Sequence, residues 1–156
     1  MAGILVGVDG SDIALGALRW ALEEARLRGV PVHVVTTWEV PALVDVTGMV
    51  APPPADVGDL EATARLVQDE ALAAVDADAT GVEIVRHTVL GNAGHVLAES
   101  SHDADLLVVG SRGLGGISGA LLGSVSRHLV RHAACPLVIL RPEVAARFVP
   151  AGDGSS

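Results

Sequence analysis

The sequence predicts an α/β fold in which a parallel sheet carries helices on both faces. Short runs rich in β-branched residues alternate with longer stretches in which apolar residues recur every three or four positions. This alternation is typical of parallel strands joined by helical crossovers, which are almost always right-handed. The expected strands are residues 4–8, 32–37, 82–89, 106–109 and 137–140, and the expected helices are residues 13–28, 60–77, 93–100 and 124–132.

The first half of the chain supplies two strands, a long helix and a long connection. Residues 4–8 are an almost wholly apolar run, and the helix that follows them ends at Gly29, a residue typical of a helix C-terminus. Residues 32–37 read VHVVTT, which indicates a buried strand. The connection at residues 39–58 contains four prolines, and connections of this length are often functional or mobile.

The second half supplies the remaining helices and strands. Residues 60–77 repeat the helical spacing of the first helix, and two shorter helices each follow a strand. The final strand, residues 137–140, is a continuous run of leucine, valine and isoleucine. We therefore assign residues 1–142 to a single domain and expect residues 143–156 to form a flexible tail.

The composition argues against several function classes. At 156 residues the chain is one domain of ordinary size, and its formal net charge of -9 argues against a nucleic-acid partner. No apolar run reaches the roughly 20 residues of a membrane span, so we expect no membrane partner. The single cysteine, Cys135, fits a cytoplasmic protein. All 10 basic residues are arginine, which excludes a lysine-containing phosphate loop and Schiff-base chemistry.

A glycine-rich segment joins the fourth strand to the last of these helices. Residues 108–130 contain glycines at positions 110, 113, 115, 116, 119 and 123. The N-terminus of a helix presents unpaired N–H groups and a partial positive charge, and glycine lets a backbone approach phosphate closely. The segment lacks the GxGxxG fingerprint of dinucleotide-binding folds. It therefore predicts either an anion site or a flexible loop that binds nothing.

The spacing of these glycines resembles the ATP-binding motif of the universal stress protein family. Gly110 is followed after two residues by Gly113, and after nine more residues by the sequence GSVS at 123–126. Other segments are also similar to the family: VGVDGS, VHVV, VLGNAGHVL, DADLLVVGSRG and RHAACPLVIL. The resemblance covers residues 3–141. It implies a flavodoxin-like, Rossmann-like open sheet of five parallel strands in the order 3-2-1-4-5.

The resemblance implies a role for each residue of a nucleotide site. Asp9 and Gly10 would lie near the ribose and phosphates, and the backbone of Val34 would meet adenine. The loop around ribose and phosphate would comprise Gly110, Ser111, Arg112, Gly113, Leu114, Gly115 and Gly116. The outer phosphates would meet N–H groups and hydroxyls of Gly123, Ser124, Val125 and Ser126. Arg112 or Arg127 could add charge, and Asp9 is the nearest carboxylate to any Mg²⁺ or Mn²⁺ that accompanies the ATP.

Ordinary structural roles are also open for several of these residues. Asp9, Gly10 and Ser11 form the typical turn and N-cap of a helix, and Ser124 and Ser126 could be caps as well. The remaining candidates are histidines. His128 and His132 have the spacing of metal ligands but lack further ligands, whereas His33, His87, His95 and His102 are expected to be structural, with no cluster among the last three.

The function that the resemblance implies is that of a cytoplasmic, ATP-binding universal stress protein. It would act through ligand-dependent conformation or choice of partner. We assign no catalytic residue and expect at most slow ATP hydrolysis, because the chain has no lysine and no obvious general base. The alternatives are a cyclic-AMP-binding member of the family, an enzyme that cleaves ATP to adenylate a second substrate, and a nucleotide-free scaffold.

The resemblance also implies a homodimer formed through the fifth strand. In the strand order 3-2-1-4-5 this strand lies at an edge of the sheet, and an exposed apolar edge favours association. The residues expected at the interface are Leu137, Val138, Ile139 and Leu140. Two-fold symmetry is the commonest arrangement of such a dimer. A monomer in which the C-terminal tail covers the edge is the alternative.

Overall fold

Five parallel strands form one sheet in the structure, a computed structural model that describes residues 2–42, 47–49, 57–114 and 121–148. The strands are β1 Ile4–Gly7, β2 Val32–Trp38, β3 Ile84–Leu90, β4 Leu106–Gly110 and β5 Leu137–Leu140. They lie in the order β3-β2-β1-β4-β5, so the predicted fold class and strand order are confirmed. The central strand is β1, where Ile4 is level with Val32 of β2 and Leu106 of β4.

Helices cover both faces of the sheet. Those in the described ranges are α1 Asp12–Arg28, α2 Val57–Ala74, α3 Ala93–Ser100, α4 Ser124–His132 and α5 Pro142–Ala145. Helices α1, α2 and α5 pack on one face, and α3 and α4 pack on the other. Within those ranges no helix combines the length and the apolar character that a membrane crossing requires.

Alternation along each strand divides the side chains between two cores. Ile4 and Val6 of β1 pack on the face of α1, where they meet Leu18. Leu5, between them, packs on the opposite face in the same core as Leu129 of α4. All five side chains are fully buried, and burial of each stabilises the fold by about 1.5 to 3 kcal/mol. The sheet therefore provides a rigid base for the loops at its carboxyl edge.

A buried polar contact positions α2 on the sheet. Gln68 is 2% exposed, and its Nε2 donates to the carbonyl oxygen of Val34 in β2 (3.1 Å) and to that of His87 in β3 (3.1 Å). A buried amide that lost these acceptors would carry an uncompensated desolvation cost. The contact therefore fixes where α2 lies along the two strands.

The chain after β5 begins with a helix, although the sequence analysis expected a flexible tail from residue 143. Residues Pro142–Ala145 form α5, and Ala145 is 1% exposed. The helix rests on α1 at Gly16, where a Cβ atom would come within 2.5 Å of the Ala145 carbonyl oxygen. The missing side chain at Gly16 therefore lets the backbone of α5 pack closely. Residues 149–156 of the expected tail lie outside the described residues.

Candidate functional site

A cavity opens at the carboxyl ends of β1, β2 and β4, against the N-termini of α3 and α4. Its volume is about 430 Å³, which lies within the range of roughly 300 to 1,000 Å³ typical of small-molecule sites. The strand β1 pairs with β2 on one side and with β4 on the other. In open parallel sheets, ligands bind at this edge, where the direction of winding reverses.

Most of the predicted site residues come together around this cavity. Nine of the fourteen line it: Asp9, Gly110, Arg112, Gly113, Leu114, Gly123, Ser124, Val125 and Ser126. Gly10, Val34 and Ser111 do not line it. Gly115 and Gly116 lie outside the described residues, so the structure says nothing of their position.

The alternation of β2 explains why Val34 is absent from the cavity wall. Val34 is fully buried in the core beneath α1 and α2, and its carbonyl oxygen accepts a hydrogen bond from Gln68. The next residue, Val35, faces α3 and lines the cavity instead. Ser111 is likewise fully buried, and its hydroxyl has no hydrogen-bond partner within the described part of the chain.

Asp9 ties together the two loops that border the cavity. Its Oδ1 accepts a hydrogen bond from the N–H of Ser11 (2.9 Å), and its Oδ2 accepts one from the N–H of Leu114 (3.1 Å). A Cβ atom at Gly113 would overlap the same carboxylate, so this approach requires glycine there. Both oxygens of Asp9 are therefore engaged, Oδ1 within the turn after β1 and Oδ2 in positioning the glycine-rich loop.

The engaged carboxylate limits how a metal ion could bind. No group of three or more potential ligands among the described His, Cys, Asp and Glu residues could hold an ion. Mg²⁺ often binds through one carboxylate together with the phosphates of a nucleotide. Asp9 fits only such a role, in which the nucleotide supplies most of the ligands.

The N-terminus of α4 is open toward the cavity. It begins after Gly123, which offers no side-chain cap, and the first N–H groups of a helix have no acceptor within the helix. The exposed Ser124 lines the cavity. Ser126 differs from the expected phosphate contact, because its buried hydroxyl donates to the carbonyl oxygens of Gly110 and Ser111 (2.9 Å each). Ser126 therefore secures the turn that precedes α4.

Two arginines stand beside this helix end, and neither has a carboxylate partner among the described residues. Arg112 and Arg127 both line the cavity. The ion pairs found among the described residues involve other arginines, namely Arg28, Arg65 and Arg86. The positive end of the α4 dipole and these two guanidinium groups together make this end of the cavity suited to an anion.

The other end of the cavity is apolar, and the sequence analysis missed its residues. Val35 and Thr37 of β2 and Ala93 and Leu97 of α3 form this wall. Gly7 completes it, and a Cβ atom there would lie 2.8 Å from a methyl group of Leu97. The period of two along each strand was the available signal, since it sends Val35 and Thr37 to the face of α3. A flat apolar group fits this wall, and an anionic group fits the opposite end.

Three histidines form a cluster where α3 and α4 pack together, which the sequence analysis did not predict. The ring of His128 lies 4.6 Å from that of His95 and 4.4 Å from that of His132, measured between centroids. Reduced hydration lowers the pKa of His128, and the charges of His132 and His95 lower it further. The spacing of His128 and His132 was visible in the sequence, but the contact with His95 depends on the packing of two helices.

A separate pair of histidines, His33 and His87, lies away from the cavity, on the neighbouring strands β2 and β3. His33 Nδ1 and His87 Nε2 are 3.1 Å apart, and His33 Nε2 lies 3.2 Å from the carbonyl oxygen of Ala2. A carbonyl oxygen can only accept, so we assign the ring proton of His33 to Nε2. His87 Nε2 then donates the hydrogen bond to His33 Nδ1. Partial burial lowers the pKa of His87, and so does His33.

The fold and this cavity define a parallel α/β protein with an open cavity at the carboxyl edge of its sheet. The model of the universal stress protein family matches residues 2–141. The chain therefore belongs to the universal stress protein family.

Individual relatives agree with this assignment. Universal stress protein Rv2624c of Mycobacterium tuberculosis is 37% identical over 144 residues, which cover 92% of this chain and 50% of that protein. The chain thus spans about half the length of the curated relatives it matches.

Solved structures are similar as well. A universal stress protein in complex with cAMP is 28% identical, with a TM-score of 0.61, and the match covers 90% of this chain and 96% of that one. The universal stress protein from Archaeoglobus fulgidus in complex with dAMP is 25% identical, with a TM-score of 0.52 and coverage of 89% and 97%.

Proposed function

We propose that this protein binds an adenine nucleotide, ATP, in the cavity at the carboxyl edge of the sheet and acts as a nucleotide-dependent regulatory protein of the stress response. The observation that carries the proposal is the uncapped N-terminus of α4, which borders the cavity between Arg112 and Arg127. Backbone N–H groups and guanidinium groups can hold phosphates without any lysine. The apolar wall at Val35 and Leu97 suits a purine ring.

We expect a triphosphate to bind in this cavity more tightly than a cyclic monophosphate, because of the positive charge around it. Relatives of solved structure hold cAMP and dAMP, so an adenine nucleotide is expected whether the ligand is ATP or cAMP. Two arginines that pair with no carboxylate in the described ranges, in addition to a helix N-terminus, offer more positive charge than a single phosphate requires. Charge-assisted hydrogen bonds contribute about 1.5 to 3 kcal/mol each, so the additional phosphates of ATP favour its binding.

We expect binding rather than turnover. An efficient hydrolase needs a general base or a water-positioning group near the outer phosphate. The nearest carboxylate, Asp9, accepts two backbone hydrogen bonds with its two oxygens. Any Mg²⁺ or Mn²⁺ would enter with the nucleotide, with Asp9 as its protein ligand. The cytoplasmic location is proposed with the same function and rests on the family resemblance and the single cysteine.

Nucleotide identification tests the proposal directly. The purified protein is denatured and any released small molecule is identified by mass, and calorimetry then compares ATP, cAMP and dAMP on nucleotide-free protein. ATP should be released or should bind most tightly. The matched variant Gly113→Val should fail to bind, because a side chain there overlaps the Asp9 carboxylate. Tighter binding of cAMP than of ATP would replace our assignment with the cyclic nucleotide, and a bound flavin or dinucleotide would exclude both.

We further propose a homodimer through β5. This strand lies at the edge of the sheet, and Leu137, Val138 and Ile139 are only half-buried there. Leu140 is 3% exposed and belongs to the core of this chain, so it adds little to the interface. Pairing of two such edges would cover the apolar strand.

Light scattering at micromolar concentration tests the dimer. The protein should have twice the mass of one chain, and Val138→Lys should reduce it to one chain, because a dimer would bury an unpaired charge. Arg86→Lys on the opposite edge strand, β3, is the matched control and should leave the mass unchanged. A wild-type protein of one-chain mass would exclude this interface.

A further inference from the structure

We propose that the histidine cluster of His95, His128 and His132 is a proton-linked extension of the phosphate end of the cavity, so that the protein holds a polyphosphate nucleotide more tightly at mildly acidic pH. This inference rests on the nucleotide site proposed above and adds a mode of regulation to it. Neither the glycine motif nor the fold requires these side chains.

The cluster lies next to the cavity wall on both helices. Ser124, His128 and His132 follow one another at intervals of four residues, so they share one face of α4. Ser124 lines the cavity, and His128 lies about 6 Å further along the helix axis at about 1.5 Å per residue. The ring of His128 packs against α3 at Gly94, where a Cβ atom would lie 3.1 Å from it. Gly94 is the neighbour of Ala93, which lines the apolar wall of the cavity, so the position beside the phosphate end rests on Ser124 and His128 of α4.

The cluster has little surrounding negative charge. Helix α3 carries His95 and Glu99, and the turn after it carries His102 and Asp103. Helix α4 carries Arg127, Arg131 and His132, and β5, which α4 also contacts, has no charged residue. Of all these groups, only His132 and His95 shift the pKa of His128, and both lower it. In the free protein His128 therefore resists protonation more than an ordinary histidine does.

A bound polyphosphate would reverse this resistance. An opposite charge nearby favours the protonated form of an imidazole and raises its pKa. The cluster would then take up a proton when the nucleotide binds. By linkage, a ligand that raises a pKa binds more tightly as the pH falls through the values of the free and bound states. A nucleoside without phosphate brings no such charge, so its affinity should not depend on the cluster.

Binding of Mg-ATP at several pH values tests the inference. The dissociation constant is measured by calorimetry from about pH 8 to about pH 6 for the wild type, for His128→Gln and for His102→Gln. His102 is an exposed histidine outside the cluster and serves as the matched control. The ligand is the same in all three titrations, so its own protonation cancels in the comparison. Adenosine is titrated in parallel.

We expect Mg-ATP to bind the wild type and His102→Gln about fivefold more tightly at the acid end, which corresponds to a rise in the pKa of His128 of about one unit. His128→Gln should show less than about half of that change. Calorimetry in two buffers of different ionisation enthalpy should show proton uptake on binding in the wild type. Should His128→Gln fail to fold, the double variant His95→Gln with His132→Gln makes the same comparison.

Two results would overturn the inference. One is equal pH dependence in the wild type and the cluster variants, and the other is weaker binding to the wild type at acid pH. Absence of Mg-ATP binding at every pH would overturn the proposed function and this inference with it. ATP binding that is indifferent to the cluster would overturn the inference alone.

Discussion

The N-termini of α3 and α4 lie on the same face of the sheet and border the same cavity, but only one of them is closed. The side chain of Asn92 caps α3 by accepting hydrogen bonds from the N–H groups of Gly94 (3.1 Å) and His95 (3.4 Å). Ser11 caps α1 in the same way through Ala14 (3.2 Å). Gly123, the residue before α4, has no side chain with which to do so.

This difference separates a helix end that is complete by itself from one that is suited to a partner. A capped N-terminus has satisfied part of its N–H groups and offers little to an anion. The uncapped end of α4 keeps its N–H groups and its positive dipole end available beside Arg127. Substitutions at Gly123 therefore test the binding role of the α4 N-terminus, and substitutions at Asn92 test the structural role of the α3 N-terminus.

Installing a cap on α4 should have the largest effect. Gly123 has φ -74° and ψ 175°, an extended backbone that any residue adopts, so Gly123→Asn should fold without strain. Its side chain would accept the N–H groups that we assign to phosphate. ATP affinity should fall by at least about tenfold, while the free energy of unfolding rises by about 0.5 to 1 kcal/mol relative to Gly123→Ala. Calorimetry and urea denaturation measure the two quantities, and unchanged ATP affinity in Gly123→Asn would remove α4 from the site.

The two serines of α4 should separate binding from stability. Ser126→Ala removes the hydroxyl that donates to the carbonyl oxygens of Gly110 and Ser111, although Ser111 keeps the N–H of Gly123 as a donor (2.7 Å), and it should lower the free energy of unfolding by about 1 to 2 kcal/mol. Ser124→Ala removes an exposed hydroxyl and should weaken ATP about threefold, with no change in stability. Urea denaturation and calorimetry of both variants provide the comparison. A stability loss at Ser124 as large as that at Ser126 would contradict it.

Removing the cap of α3 should affect stability alone. Asn92→Ala should lower the free energy of unfolding by about 1 kcal/mol, because two N–H groups lose their acceptor. Its ATP affinity should stay within about twofold of the wild type. Asn92→Ser keeps an acceptor and serves as the control. If ATP affinity fell as far as it does in Gly123→Asn, the contrast between the two helix ends would not hold.

The smallest effect concerns how the free energy of unfolding depends on pH through His87 in the edge strand β3. Because the pKa of His87 is lowered in the folded state, the unfolded state binds a proton more readily. The free energy of unfolding should therefore be highest above the ordinary histidine value of 6.5 and should fall as the pH drops below it. His87→Gln should flatten this decline, as followed by urea denaturation between about pH 8 and about pH 5. His102→Gln should retain it, and equal slopes in both variants would refute the assignment.

Local sequence signals predicted the fold and half of the site. Ser11 and Gly29 mark the ends of α1, and the spacing of Gly110, Gly113 and Gly123 located the loop and the helix end that border the cavity. These features depend on backbone chemistry that neighbouring residues determine. Ser124, which the resemblance assigned to the outer phosphates, lies on the cavity wall.

Features that depend on packing between distant elements were not predictable in this way. The apolar wall depends on which face of β2 meets α3, and the analysis, which expected only a backbone contact at Val34, did not include Val35. The hydroxyl of Ser126 turns back to the preceding turn, which its position in the motif does not indicate. The contact of His95 with His128 likewise exists only because Gly94 lets two helices approach closely.

The buried amide of Gln68 bears on how this domain can change during evolution. Its bonds to Val34 and His87 anchor α2 to two strands from within, independently of the chain that leads into the helix. A shift of α2 by one turn would leave this amide buried without its acceptors, so the helix has a single favourable position on the sheet. Insertions or deletions in the connection between β2 and α2 should therefore leave the helix, and the sheet beneath it, where they are.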